Sequence, residues 1–307
     1  MTTPAPARPV LVAITTYRRM PLLPPLVEVI GAQAEALGRR CAIAVIDNDP
    51  ERSAEETARS LGVRYVHEPT PGIGAARRAA LGSADDDDLL VMVDDDVMPE
   101  ERWLAELVAT WEAYRPSVVK GWVRYAWPAD CDPWISAGGF MRRDRHATGT
   151  RLTSLSTGNV LIDVADVRRR GVDFDPGQGL AGGEDTLFGE ALLAAGGTIV
   201  ASADSIVLDE VPRDRATVAF VRRRTIAHGV THSSLRLRGR SGLAAVRARA
   251  AALAGGAVRM VAFQAVHVVG KLTRNVSMDA VGKRRYWFAI GRIKGALDVR
   301  VDEYARG

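Results

Sequence analysis

The first hundred residues switch repeatedly between two hydrophobic periods, and this switching constrains the fold more than any other feature. Short apolar, β-rich runs stand at "PVLVAITTY" (9–17), "CAIAVIDND" (41–49), "VRYVHE" (63–68) and "DDLLVMVDDD" (87–96). Stretches of helical spacing lie between them. Over residues 22–37, Leu22, Leu23, Leu26, Val27, Ile30, Ala34 and Leu37 share one face. "ERSAEETARSLG" (51–62) reads as a helix closed by glycine, and "PTPGIGAARRAALGSA" (69–84) as a Pro/Gly turn running into another. The alternation predicts an α/β fold with a mostly parallel sheet flanked by helices. Such sheets bind ligands outside the carboxyl ends of their strands. Thr15, Thr16, Tyr17, Asp47 and the aspartates at 94, 95 and 96 therefore fall along one rim.

Those aspartates need compensation, because like charges so close repel and raise one another's pKa. They follow directly on the apolar run Leu90 to Val93, unlike the acidic run at 85–88, which precedes it and reads as a solvated loop. Carboxylates at a strand end are suited to a hard divalent cation, Mg²⁺ or Mn²⁺, which often takes further oxygens from a substrate phosphate. A second acidic pair, Glu184 and Asp185 in "GGEDTLF", stands at the start of a helix. There the helix dipole favours negative charge, so it reads either as a cap or as a general base that takes a proton from an attacking hydroxyl.

The middle of the chain, roughly 115–180, is irregular, with Trp122, Trp127 and Trp134 offering either aromatic platforms or packing. "STGNVLIDVADVRRRG" restores a strand and a helix, and "TIVASADSIVLDEV" reads as a last strand pair. The net charge of +4 conceals an asymmetry. Residues 213–307 hold 20 Lys+Arg against 5 Asp+Glu, and the rest of the chain 21 against 32. A basic tail on an acidic body suits an anionic partner. Within it, 243–270 is strongly apolar but interrupted by Arg247, Arg249, Arg259 and His267, which argues against a spanning helix. Gln264, His267, Lys271 and Arg274 recur at helical steps and predict a basic polar face on an amphipathic, interfacial helix. The expected domains are a catalytic 1–235 and a basic helical extension 236–307. The N-terminal "MTTPAPARPV" reads as a short leader without signal-peptide character, and the two cysteines, Cys41 and Cys131, fit a reducing compartment.

Several motifs are absent. "PGIGAAR" lacks the third glycine of a dinucleotide fingerprint. His228 and His232 lack the glutamate of a zinc protease, since Gly229 stands there. No nucleophile elbow, paired Cys-x-x-Cys or P-loop occurs.

Taken together, "VLVAITTYRR", "IAVIDNDPERSAEETA", "EPTPGIGAARRAAL", "LLVMVDDDVMPEERWL", "STGNVLI" and "FDPGQGLAGGEDTLFGEALLAAGGTIV" resemble the family 2 glycosyltransferases of the GT-A fold, in order and spacing, over residues 9–230. The resemblance implies a nucleotide-sugar donor (UDP-, GDP- or TDP-linked), a divalent metal, and direct displacement with inversion at the anomeric carbon. Under it, Thr15, Thr16 and Tyr17 line the nucleotide pocket, Asp47 bonds the base, and Arg77 helps hold the nucleoside. Asp94 and Asp96 form the metal motif with Asp95 near ribose or metal, although three adjacent aspartates leave the metal-binding pair open. Asn159 lies near the donor sugar or acceptor, Asp185 is the base, Glu184 assists, and Arg223, Arg224 and His228 meet an acceptor or donor phosphate. Many relatives carry a histidine after the strand that follows the base helix, where this chain has Asp209 and Glu210. The Gln-x-x-Arg-Trp motif of polymerising synthases is also missing, so transfer of one or a few sugars to a glycan or lipid-linked acceptor is expected, at the cytoplasmic membrane face.

Three competing readings remain. A nucleotidyltransferase needs a glycine-rich loop near the N-terminus, and "AITTYRRMP" has no glycine. A non-catalytic nucleotide-sugar-binding or membrane scaffold is disfavoured by intact acidic motifs. Nucleic-acid binding by the tail lacks interleaved aromatics.

Overall fold

The structure, a computed structural model, describes residues 7–86, 88–178 and 183–299. Most of the N-terminal leader and Gly182 of the second acidic motif lie outside the described residues. In chain order the elements are β1 (Val10–Thr16), α1 (Leu23–Ala36), β2 (Cys41–Asp47), α2 (Glu55–Ser60), β3 (Arg64–His67), α3 (Ile73–Ser83), β4 (Leu89–Asp94), β5 (Val97–Pro99), α4 (Trp103–Tyr114) and β6 (Val118–Ala126). They continue with α5 (Pro133–Ala137), β7 (Asn159–Asp163), α6 (Val164–Arg169), α7 (Glu184–Ala194), β8 (Ile199–Glu210), α8 (Val218–Leu237), α9 (Gly242–Leu272) and α10 (Val276–Ala296).

One eight-stranded sheet runs in the order β3-β2-β1-β4-β7-β6-β8-β5. Its first half is parallel, as the alternation requires, with β1 between β2 and β4. The pairings of β7 with β4 and β6, and of β5 with β8, are antiparallel, so the sheet as a whole is mixed. Every residue of β1 is buried, and its side chains alternate between two cores. Val10, Val12 and Ile14 face the core built with α1 and α4, and Leu11 and Ala13 face the one built with α3, α6 and α7. This two-sided burial makes β1 central and sets the register that aligns the rim. Thr15 lies opposite Asp94, and Thr16 opposite Asp47.

Three elements differ from expectation for local reasons. Helix α2 starts at Glu55 rather than 51, because the preceding turn folds back so that the Ala54 amide donates to Asp47 (2.8 Å). Strand β6 runs through the stretch expected to be irregular. The expected final strand pair is a single twelve-residue strand, β8, whose polar middle is accommodated by burial of Ser202 against Thr110 (2.9 Å).

The chain divides into two compact units. The first holds residues up to 124, 143–178 and 184–209 of the described chain. The second holds 125–142, Gly183 and the segment from 210 onward. The boundary expected at 235 falls inside α8. In the second unit α10 packs along both α8 and α9. Close approach is possible because Gly291 has no side chain, and a Cβ there would overlap the Ile226 carbonyl of α8. Trp134 packs edge-on to Trp287 (5.9 Å between centroids) and beside Phe140, so this tryptophan is core and not a platform.

Candidate active site

The C-terminal ends of β1 and β4 and the N-terminal ends of α3 and α7 converge on one group of charges in the first unit. Residues 94–96 turn off β4, and the turn distributes the three carboxylates unequally. The Asp94 and Asp96 side chains keep 35% and 30% of their exposure, whereas Asp95 keeps 5%. Asp95 is turned inward and accepts from Thr16 Oγ1 (2.7 Å). Thr15 Oγ1 donates to Asp94 (3.4 Å). Gly158 lies directly over Asp94, where any side chain would strike the carboxylate. Tyr17 is half-buried beside the strand end.

Two arginines balance these aspartates. A single Arg19 nitrogen donates to Asp95 Oδ1 and to Asp96 Oδ2, each at 2.8 Å. Arg77, 7% exposed on α3, donates to Glu184 and stands 3.6 Å from Asp94. Glu184 is itself buried, so Arg77 ties the end of β4 to the start of α7. Stacked Phe174 and Phe188 (4.1 Å, 7°) fix α7 in place. Asp185, half-buried beside Glu184, accepts from the Thr186 amide (2.7 Å).

Burial dominates the electrostatics. It raises the Asp94 carboxyl even though part of that side chain faces solvent, with Arg77 opposing and Asp96 and Asp185 adding to the rise. The Asp95 carboxyl is pushed up to about 6 by burial, with Arg19 and Thr16 opposing. Burial also raises Glu184, with Arg77 opposing and Asp185 adding. On β6, burial lowers the half-buried Lys120 ammonium and Arg143 adds to this, whereas Asp185 and Asp144 raise it.

Two expected contact residues are engaged by the protein itself. Asp47 is fully enclosed and accepts from the Asp49 and Ala54 amides (3.0 and 2.8 Å) and from Tyr65 (3.1 Å). Its carboxylate organises the turn after β2. Asn159, 1% exposed, accepts from Trp103 Nε1 (2.8 Å) and donates to the Trp122 and Ser205 carbonyls (3.1 and 3.0 Å). With both amide donors used and its oxygen accepting from Trp103, Asn159 joins α4, β6, β7 and β8. Arg223, Arg224 and His228 lie on α8 in the second unit, with the exposed Arg223 over the Phe220 ring (5.5 Å). The site residues missed in the sequence are Arg19 and Lys120. Lys120 left one signal, as the only lysine before residue 271 and a charge within a β-rich run.

The residues fit a divalent cation to a limited degree. Arg19 shows that two neighbouring carboxylate oxygens can share one positive centre. Among the described residues no cluster of three or more His, Cys, Asp or Glu forms a metal cage. A cation here would draw its remaining oxygens from a diphosphate and water, as Mg²⁺ and Mn²⁺ commonly do.

A mixed sheet with carboxylates at its rim and an acidic helix start is the arrangement of the GT-A glycosyltransferases. The glycosyl transferase family 2 model matches residues 11–167, and the chain belongs to that family. It is 30% identical over 230 residues to the succinoglycan biosynthesis protein ExoM of Rhizobium meliloti, covering 73% of this chain and 74% of the relative. Among solved structures it shares its fold with the mannosyltransferase PcManGT of Pyrobaculum calidifontis in complex with GDP-Man and Mn²⁺ (TM-score 0.60, 18% identity, 96% and 88% of the two chains). It also shares it with S. aureus TarS 1-349 in complex with UDP-GlcNAc (TM-score 0.52, 13% identity, 91% and 90%).

Proposed function

We propose that this glycosyltransferase moves a sugar from a nucleotide-sugar donor to an acceptor hydroxyl, with inversion and with a divalent cation, in polysaccharide, cell-envelope or glycolipid synthesis. The observation that carries the reading is the convergence of Asp94, Asp96, Arg77, Glu184 and Asp185 at the rim of the parallel strands. The ExoM relative supports the polysaccharide context, and the GDP-Man and UDP-GlcNAc complexes support a nucleotide-sugar donor.

Asp94 and Asp96, the two aspartates with open faces, hold the cation. When bound, Mg²⁺ or Mn²⁺ supplies positive charge to the departing diphosphate. Thr15, Thr16 and Tyr17 border the nucleotide, and Asp47 shapes its pocket by holding the turn after β2. Arg77 keeps Glu184 and Asp94 in place and adds charge on the diphosphate side. Asp185 takes the proton from the acceptor hydroxyl. The acceptor oxygen then attacks the anomeric carbon from the face opposite the diphosphate, the glycosidic carbon–oxygen bond to the donor breaks, and configuration inverts. Arg223, Arg224 and His228 contribute to holding a phosphate-bearing acceptor. Residues 1–235 carry the chemistry, and the helical extension from 236 meets the cytoplasmic membrane face.

The decisive variant is Asp185→Asn. It should lower kcat by about 10³ or more while leaving donor affinity within roughly threefold in calorimetry. Turnover near the wild-type rate would remove Asp185 as the base.

A further inference from the structure

The sequence anticipates a basic polar face at Gln264, His267, Lys271 and Arg274; the structure ends α9 before Arg274 and turns part of the remaining face inward. His267 is 7% exposed and bonded to Asp279 of α10, and Gly256 and Gly270 are buried on the same side. The outward side is apolar. Leu243, Val246, Val258, Val261, Val268 and Leu272 recur at helical steps along one stripe, and all are exposed, Val261 at 74% and Leu272 at 79%. At 31 residues the helix is roughly 45 Å long, so this stripe is longer than scattered surface residues would give.

Charge identifies what covers it. From Arg215 to Met278 the chain has twelve Lys and Arg and no Asp or Glu. On α9 the exposed Arg247 and Lys271 stand within and beside the apolar stripe, where long side chains can reach headgroups while their stems stay apolar, and Arg259 is turned toward His232 of α8 and Arg292 of α10. An acidic protein partner would match the cations and leave the valines uncovered. An apolar protein partner would leave the cations uncompensated. A lipid surface with anionic headgroups satisfies both.

Alpha-9 is the one helix among the described residues long and apolar enough to cross a membrane, but its packing argues against crossing. Its inward side is covered by α10, which carries Lys283, Arg284, Arg285, Arg292 and Lys294. Inserting the pair would carry those charges into hydrocarbon.

We infer that α9 lies flat in the headgroup region of an anionic lipid surface, its Leu243–Leu272 stripe in the acyl boundary and its cations on lipid phosphates. This deepens the membrane contact of the proposed function and does not depend on the sugar chemistry. The binding combines apolar burial with attraction to negative headgroups, so both halves are needed.

The test is flotation of the full chain with phosphatidylcholine vesicles, with and without phosphatidylglycerol, at low and high salt. The expected result is strong co-flotation with phosphatidylglycerol vesicles at low salt, falling about tenfold or more in high salt or on phosphatidylcholine alone. Val261→Glu with Leu272→Glu, both at solvent-facing positions, should cut flotation by a similar factor. Circular dichroism and calorimetric donor binding should stay as in wild type, which separates this outcome from a failure of the transferase reading. Absence of flotation on phosphatidylglycerol at low salt overturns the inference. So does retention after alkaline carbonate, which marks a spanning helix. So does a wild-type dimer that the double variant converts to monomer while flotation is unchanged, which makes a second copy the occupant of the stripe.

Discussion

At the scale of single residues, the site is governed by how few cations serve how many buried carboxylates. Among the described residues Arg77 alone forms an ion pair with Glu184, and it also faces Asp94. Arg77→Met should therefore leave Glu184 buried and uncompensated, lowering stability by about 3–5 kcal/mol at pH 8. The loss should shrink at pH 5, because burial already raises Glu184 and protonation removes the stranded charge. Urea unfolding at the two pH values measures it. Asp95 gives a pH signature of opposite sense to an ordinary ion-paired aspartate. Its carboxyl titrates near 6 in the folded chain, above its unfolded value. The native state thus holds this proton more tightly, and its contribution to stability falls as pH rises from about 4 to about 6, then stays flat. Asp95→Asn removes the titration. The variant should gain on wild type by up to roughly 3 kcal/mol across that window in metal-free protein, read as thermal midpoints from pH 4 to 8. Parallel pH curves for the two proteins would show that Asp95 is ionised throughout.

At the scale of elements, Asn159 tests what holds the antiparallel half of the sheet. Asn159→Ala should cost about 2–4 kcal/mol, because it strands the buried Trp103 indole N–H and two carbonyls. The KM for donor should change little, and a large rise in KM with stability intact would return Asn159 to the sugar. The sequence made the parallel half legible because each strand there is a continuous apolar run with its own helix. Helix α1 falls within a residue or so of its expected span. The antiparallel half was harder to read. Strand β6 contains Lys120, Gly121 and Arg124, and β8 contains Ser202, Asp204 and Ser205, so neither shows a clean period. Their strand character comes from partners far away in sequence. The rim aspartates were legible as ends of apolar runs. Arg19 was not, since its pairing with Asp95 and Asp96 spans 76 and 77 residues and no local pattern encodes it. The polar face expected on α9 is in part turned inward at His267, because periodicity locates faces but cannot say which one α10 will cover.

At the scale of the whole molecule, the proposed ligands should act as stabilisers by mass action. A nucleoside diphosphate with Mn²⁺ at about 100 times its dissociation constant should add about 2.7 kcal/mol to unfolding, read as a rise in thermal midpoint. Mn²⁺ alone should add much less, since the proposed site offers it only the Asp94 and Asp96 carboxylates and draws its remaining oxygens from the diphosphate. Equal shifts with and without the nucleotide would point to a metal site held entirely by protein.

The run from Arg215 to Met278 has a further consequence for how the chain responds to its surroundings. Eleven of its twelve cationic side chains are guanidiniums, which do not titrate in the biological range, and no carboxylate is present to neutralise on acidification. Of its three histidines, burial lowers His232, keeping it uncharged further into the acid range. The hold of this segment on negative charge is therefore nearly blind to proton concentration. An organism that acidifies would not loosen it, whereas one that changes its lipid headgroups or its internal salt would.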